Sequence, residues 1–321
     1  MNGEDTMELR QLKTFLTVGK LLSFNRAADT LNYAQSTVSV QIRALEDEFG
    51  VPLFDRLGKQ VVLTEAGQAL MQYARKMLDI EQETISQVTG RTQPLGSLSI
   101  RIPQSLSTYC LPAILASFRL RHSRISFDIN SCALDPLEHE LKSGVTDVAF
   151  LMAESITARD LKSEILGIVE LAVVTGADHP LAAMNSRMSI QDLEGECIIL
   201  PKQDCSYRMT FEQMLAEKRV RTASIIEMNS IEAIKQCVIR GVGITIIPEI
   251  SIREEARQGK LAILPWTEDQ LETAVLMIWH KDKWLSPTLQ AFMRCARSTV
   301  HALLTGNLEQ SDSPTLTNPR E

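Results

Sequence analysis

The chain is poor in what a metal centre, a disulfide framework or a membrane span requires. Its six cysteines, at 110, 132, 197, 205, 237 and 295, include no C-x-x-C pair, so neither a zinc knuckle nor a bridged scaffold is indicated and free thiols are expected. Its five histidines, at 122, 139, 179, 280 and 301, form no H-x-x-x-H pair, the spacing that sets two imidazoles on one helix face, and no metal is expected. No apolar run approaches the ~18 residues that a membrane span needs. The first residues, MNGEDTMELRQLK, lack the basic-then-apolar order of a secretory signal, so a soluble, cytoplasmic protein with no membrane partner is expected. There is no G-x-S-x-G, no phosphate loop and no Cys-His or paired-carboxylate constellation, which argues against an enzyme and leaves no cofactor expected. A net charge of −7 argues against nonspecific coating of nucleic acid.

What is present is organisation. The 321 residues suffice for two or three domains, and residues 10–60 carry seven Lys/Arg against five Asp/Glu, a slightly basic stretch in an acidic chain. Within it, Leu9, Leu12, Phe15, Leu16 and Val18 outline an amphipathic helix. Ser23 reads as the N-cap of a short second helix containing Ala27, Ala28 and Leu31. Asn32-Tyr33-Ala34 has room only for a tight turn, after which Val38, Ile42, Leu45 and Phe49 form the apolar stripe of a third helix. The opposite face carries Gln35, Ser36, Thr37, Ser39, Val40 and Arg43, side chains suited to base edges and phosphates in a major groove. Val51 to Leu63 reads as two short strands around a turn, with Arg56 and Lys59 placed to reach phosphates. Periodicity alone leaves two readings open: a DNA-reading helix-turn-helix, or a small helical bundle with a solvated face.

The stretches Ala27-Ala28, Gln35-Ser36-Thr37-Val38-Ser39, Leu45-Glu46, Gly50-Val51-Pro52-Leu53-Phe54-Asp55-Arg56 and Leu63-Thr64-Glu65-Ala66-Gly67 resemble the head of LysR-type transcriptional regulators. The match is specific over some sixty residues. It departs at Val40, where many members carry a base-reading Arg. The resemblance implies an N-terminal winged helix-turn-helix followed by an α/β effector domain of two subdomains, like a type 2 periplasmic binding protein. It further implies double-stranded operator DNA and a small-molecule effector as partners, with homodimers through a linker helix assembling into homotetramers.

The linker is legible on its own. Thr64 reads as the cap of a long helix in which Ala66, Leu70, Tyr73, Met77, Ile80, Thr84 and Gln87 make a heptad-like seam, with Met71, Ala74, Leu78, Ile85 and Val88 beside it. Either the helix packs on its own domain or it pairs with a second copy, and the second is the better fit to two stripes that both need cover. Thr92 to Ser97 then marks a hinge.

Beyond the hinge, short apolar runs alternate with helical patterns, which predicts α/β architecture with a largely parallel sheet. Gly241-Val242-Gly243 follows a helix and precedes a strand, the reverse of a dinucleotide turn, so it reads as a helix C-terminus. The expected layout is a head at 1–65, a linker at 66–93, an effector domain at 94–302 and a disordered tail at 303–321. The effector domain is expected to split into 94–168 with 271–302, and 169–270.

In the first half, Pro103 to Thr108 follows a strand and opens a helix, an arrangement that suits an anion. Ser105 matches an effector-contacting position of the family, whereas Ser107 and Thr108 either cap the helix or touch ligand. Arg208 either pairs with an effector carboxylate or forms a surface ion pair, and Asn229 and Ser230 carry the same ambiguity as Ser107. Cys132, Cys205, Tyr207 and Pro248 complete the candidate effector set. LPKQDCSYR resembles the stretch around the reactive cysteine of peroxide-sensing members, which makes a redox role for Cys205 the alternative to metabolite sensing.

Overall fold

The structure is a computed structural model and describes residues 7–57, 60–88, 96–132, 134–153, 158–184, 187–202, 206–266 and 271–305. The head is built from α1 (Leu9–Leu21), α2 (Phe24–Leu31), α3 (Gln35–Phe49), the antiparallel hairpin β1 (Phe54–Leu57) and β2 (Gln60–Leu63), and the start of α4 (Glu65–Val88). Ser23 caps α2 by accepting the Arg26 N–H at 3.3 Å. Asn32, which tolerates a left-handed backbone, turns the chain at φ 54° between α2 and α3. Ala34 precedes α3 with no side-chain oxygen to offer, a loss of roughly 1 kcal/mol relative to Ser.

Leu12, Phe15, Val18, Ala27, Ala28, Val38, Ile42 and Leu45 form one buried cluster, and Leu70, Met71 and Ala74 of α4 close it. The small Ala27 and Ala28 let α2 approach its neighbours. A buried hydrogen bond from Thr14 Oγ1 to Gln41 Oε1 (2.6 Å) locks α1 to α3, and Glu46 accepts the Leu53 N–H at 2.8 Å, pinning the hairpin to α3. Thr64 caps α4 through the Gly67 N–H at 3.0 Å. At Gly67 a Cβ would stand 2.1 Å from the Leu53 carbonyl oxygen, so only glycine lets α4 leave the wing at this angle.

The rest of the chain contains β3 (Gly96–Ile102), α5 (Gln104–Tyr109), α6 (Leu111–Arg119), β4 (Ile125–Ser131), α7 (Leu134–Lys142), β5 (Val148–Met152) and β6 (Leu161–Gly176). It continues with β7 (Cys197–Pro201), α8 (Ser206–Glu217), β8 (Ser224–Met228), α9 (Ile231–Ile239), β9 (Thr245–Pro248), α10 (Arg253–Arg257), β10 (Leu261–Ile263), β11 (Glu272–His280) and α11 (Pro287–Leu304). Gly241 terminates α9 at φ 71°, which agrees with the helix-end reading of the glycine pair.

One sheet runs β10-β6-β11-β5-β3-β4, with β9 also on β6, and β7 and β8 form a separate pair. The expectation of a largely parallel sheet is corrected here. Among the strand pairs of the described residues, β3–β4, β3–β5 and β7–β8 are parallel, whereas β6 pairs antiparallel with β9, β10 and β11, and β11 pairs antiparallel with β5. The cause is β6, whose first part pairs with the returning strand β11 and whose second part, from Leu171, pairs with β9 and β10.

The linker helix is docked on this sheet by charge. Arg75 Nη2 donates to the Ser97 carbonyl at 2.6 Å and lies 3.3 Å from Asp147 Oδ2. Asp147 is buried and also accepts the Ser99 N–H at 2.8 Å and the Lys283 ammonium at 2.6 Å. Lys20 of α1 adds an ion pair to Asp128 at 2.5 Å. Burial works against the charged form of Asp147, but Lys283, Arg75 and the Ser99 N–H outweigh it and hold the carboxyl below its usual value. Asp79, 3.6 Å from Arg75, goes the other way: burial pushes it up to about 6, against the opposing pull of Arg75. Tyr73 (61% exposed), Met77, Ile80, Ile85 and Val88 leave an exposed apolar stripe on α4.

These two carboxyls predict opposite arms of a pH profile. Native Asp79 holds a proton that the unfolded chain has released, so its contribution is greatest below the unfolded value of about 4 and is lost as pH rises through about 6. Asp147 stabilises above the unfolded carboxylate value, and its contribution is lost as pH falls through its depressed native value. Urea unfolding of full-length protein across pH 3–8 is expected to show a rise toward acid and then a fall. Asp79→Asn should flatten the rise, and Asp147→Asn should cost about 3 kcal/mol at neutral pH by stranding Arg75 and Lys283.

Candidate DNA-reading face and effector cavity

On α3 the burial follows the expected division except at Phe49, which ends the helix 43% exposed. Val38, Gln41, Ile42 and Leu45 are buried, while Gln35, Ser36, Thr37, Val40 and Arg43 are exposed and Ser39 is half-buried. Gln35 Nε2 donates to Ser39 Oγ at 2.8 Å, which sets the amide along the exposed face. Val40, at 67% exposure, presents methyl groups where an Arg would present donors. Arg56 lies in β1 opposite Val61, and Lys59 falls outside the described residues.

A cavity of about 800 Å³ opens at the C-terminal ends of the central strands, where α/β sheets commonly hold ligands. One wall is made by Ile102 to Ser105 and Ser107, with Ile129 to Cys132 and Leu151 to Ala153. The other is made by Pro201, Lys202, Tyr207, Met209, Met228, Asn229 and Ile231. Gln104 Oε1 accepts the Ile231 N–H at 2.9 Å and joins the walls.

Behind the cavity, Lys235 donates to Tyr109 Oη at 2.7 Å and pairs with Glu255 at 2.6 Å, and Tyr109 in turn donates to Glu232. The Tyr109 hydroxyl, pushed up to about 12 by burial and by its bond to Glu232, stays a donor.

Of the expected effector set, Ser105, Ser107, Cys132, Tyr207 and Asn229 line this cavity. Ser105 is buried with its hydroxyl donating to Met152 Sδ at 3.2 Å. Four residues lie outside the cavity lining. Arg208 is 2% exposed and heavily engaged: its guanidinium donates to Glu212 Oε1 at 2.7 and 2.9 Å, to Glu227 Oε1 at 2.7 Å and to the Pro201 carbonyl at 2.5 Å. Burial lowers its pKa, but the bonds to the two glutamates outweigh that and raise it, so its charge belongs to the fold of β7, α8 and β8.

Thr108 is exposed on α5 away from the cavity. Ser230 is the N-cap of α9, accepting the Ala233 N–H at 3.3 Å. Pro248 is buried in β9 opposite Leu171. Cys205 falls outside the described residues. Sequence reasoning passed over the charged lining groups Lys202 and Glu138, and the thioethers of Met152, Met209 and Met228. The available signal was position: Lys202 follows β7 as Pro103 follows β3.

Residues 9–68 match the family model for bacterial regulatory helix-turn-helix proteins of the lysR family, and residues 91–300 match the LysR substrate binding domain. The chain belongs to the LysR family. It is 36% identical over 294 residues to the uncharacterized HTH-type transcriptional regulator YwqM of Bacillus subtilis, an alignment covering 91% of this chain and 99% of that protein. It is 31% identical over 291 residues to the RuBisCO operon transcriptional regulator of Allochromatium vinosum, covering 89% and 94%. A full-length OxyR variant from Pseudomonas aeruginosa shares the fold at a TM-score of 0.71 and 22% identity, covering 94% of this chain and 97% of that one. The chain is thus a LysR-type transcriptional regulator with a winged helix-turn-helix and an effector-binding domain of the two-subdomain, periplasmic-binding-protein-like kind.

In this LysR-type regulator, Arg208→Gln should act on stability. It removes the charge-assisted hydrogen bonds that tie Glu212 and Glu227 together while both carboxylates keep access to solvent, and equilibrium unfolding is expected to show a loss of about 2 kcal/mol. A variant with wild-type stability and reduced ligand affinity would return Arg208 to the effector set.

Proposed function

We propose that the regulator is switched by a small amphipathic carboxylate bound in the cavity between α5 and the Pro201–Lys202 and Met228–Asn229 segments. The reading rests on the composition of that cavity. Its lining is mostly apolar, it contains the hydroxyls of Ser105, Ser107 and Tyr207, and Lys202 is its cation among the described residues. An apolar body would desolvate against Ile102, Leu137 and the methionines, while the carboxylate meets Lys202 and the hydroxyls. The domain split proposed is 94–168 with 271–302 against 169–270, so that ligand touching both walls favours one relative position over another. That shift requires unequal affinity for the two states.

At the other end, Gln35, Ser36, Thr37, Ser39, Val40 and Arg43 are proposed to read operator bases, with Arg56 and Lys59 on phosphate. The exposed α4 stripe from Tyr73 to Ile80 is proposed to pair with a second copy, giving dimers and then tetramers that bind two half-sites with avidity. Cys205 as a redox switch is the competing proposal.

Two measurements test this. Gel-shift titration of operator DNA should show Gln35→Ala and Arg43→Ala each weakening binding by about 1–3 kcal/mol with unchanged circular dichroism. Unaltered affinity in both would remove α3 as the reading helix. Thermal unfolding of full-length protein against a panel of small carboxylates should give a saturable rise that is lost in Lys202→Gln and Ser105→Ala. A response to peroxide alone, abolished by Cys205→Ser, would replace metabolite sensing with redox sensing.

A further inference from the structure

A second cavity, of about 630 Å³, lies away from the cleft where the end of α6 meets α11. On α11, Ala291, Arg294, Cys295 and Ser298 recur at three- and four-residue steps and form one stripe along it. On the α6 side, the turn after the helix brings in Arg121 and His122, and Ser117 adds a hydroxyl.

Three observations separate this cavity from an ordinary basic surface. Among the described residues no Asp or Glu lines it. Among the described residues neither Arg121 nor Arg294 has a carboxylate partner, whereas Arg297, one turn further along α11, is held by Glu164 at 2.7 Å. Finally, His122 Nδ1 is buried without a hydrogen-bond partner, although the ring is fixed 4.5 Å from the Phe118 ring. A buried, unpaired ring nitrogen carries a desolvation cost that nothing among the described residues offsets.

The charge at the end of α6 has a simple partial explanation, because cations favour a helix C-terminus. That accounts for Arg121. It does not account for Arg294, which lies in the middle of α11 and gains nothing from either end. Burial first, then the proximity of Arg121 and Arg294, lowers the pKa of His122, so their positive potential reaches the ring without neutralisation.

We propose that this cavity is a second anion site, separate from the effector cleft, that takes an oxyanion between the Arg121 and Arg294 guanidinia. The ligand is a small molecule bearing a phosphate or a carboxylate. The planar forks of two arginines match either group. Ser117 and Ser298 supply hydroxyl donors, and Leu120 offers apolar surface to the rest of the ligand. Because Phe118 packs edge-on against Phe292 at 5.5 Å, the site rests on the core beneath the sheet that carries the linker dock.

The test is thermal unfolding of the full-length protein at neutral pH and constant ionic strength, titrated with sodium phosphate in one arm and malonate in another against chloride. A saturable rise in melting temperature is expected with at least one anion, and the more effective arm identifies the group. Half-saturation should move up about tenfold or more in Arg121→Gln/Arg294→Gln, the equivalent of one lost ion pair, and stay unchanged in Lys202→Gln. Among the described residues neither guanidinium is engaged in the fold, so the double variant should melt like wild type without anion; if it does not, Arg294→Gln alone takes its place. The proposal is overturned by the absence of a saturable rise, by an equal rise in the arginine variants, or by loss in Lys202→Gln instead, which would assign the anion to the cleft.

Discussion

Asp147 is a carboxylate removed from water and kept charged, and the placement of the head relative to the sheet depends on it. A buried anion is costly unless its partners are close and its lone pairs are used. Here the Ser99 N–H comes from β3, Lys283 from the segment between β11 and α11, and Arg75 from the linker helix. Three distant parts of the chain are therefore fixed to a single carboxyl group, and the linker helix cannot leave the sheet without stranding charge.

The same strands connect that dock to the cavity. β3 carries Ser97 and Ser99 toward one end and Ile102 toward the other, and β4 carries Asp128 on the dock side and Ile129 to Ser131 on the cavity side. A ligand that displaces the cavity-side ends of β3 and β4 acts on residues in the same strands that hold Arg75 and Lys20. Close-packed sheets transmit small shifts in preference to absorbing them. The Gln104–Ile231 and Tyr109–Lys235 bonds join α5 to α9, so the two walls of the cavity are mechanically joined even without ligand.

Legibility in the sequence varied with the range of the interactions involved. The head was read nearly helix by helix, because 3.6-residue periodicity, Ser23 and Thr64 caps and the turn at Asn32 are local signals. The second part of β6 was visible as an apolar run at Leu171–Thr175. Its first part, Leu161–Glu170, mixes Lys162, Glu164 and Ile165 and carries no clean alternation, so the strand that makes the sheet antiparallel went unseen. In the cavity, Ser105 and Asn229 followed from their places after strands, but Lys202 did not stand out from any other lysine in a loop.

The sequence by itself determined the family, the exposed polar face of α3 and the amphipathic linker. Each of these is written in residues within a few turns of one another, where periodicity and capping act. Only the tertiary structure decided the fate of the charges. Arg208 became a buried strut because Glu227, on a strand paired beside β7, came within reach of it. Arg75 became a dock because Asp147 lay seventy-two positions away in the chain and 3.3 Å away in space. An ionisable side chain looks the same in sequence whether it will be solvated, paired or left open to a ligand. That outcome depends on which long-range neighbours the folded sheet brings to it.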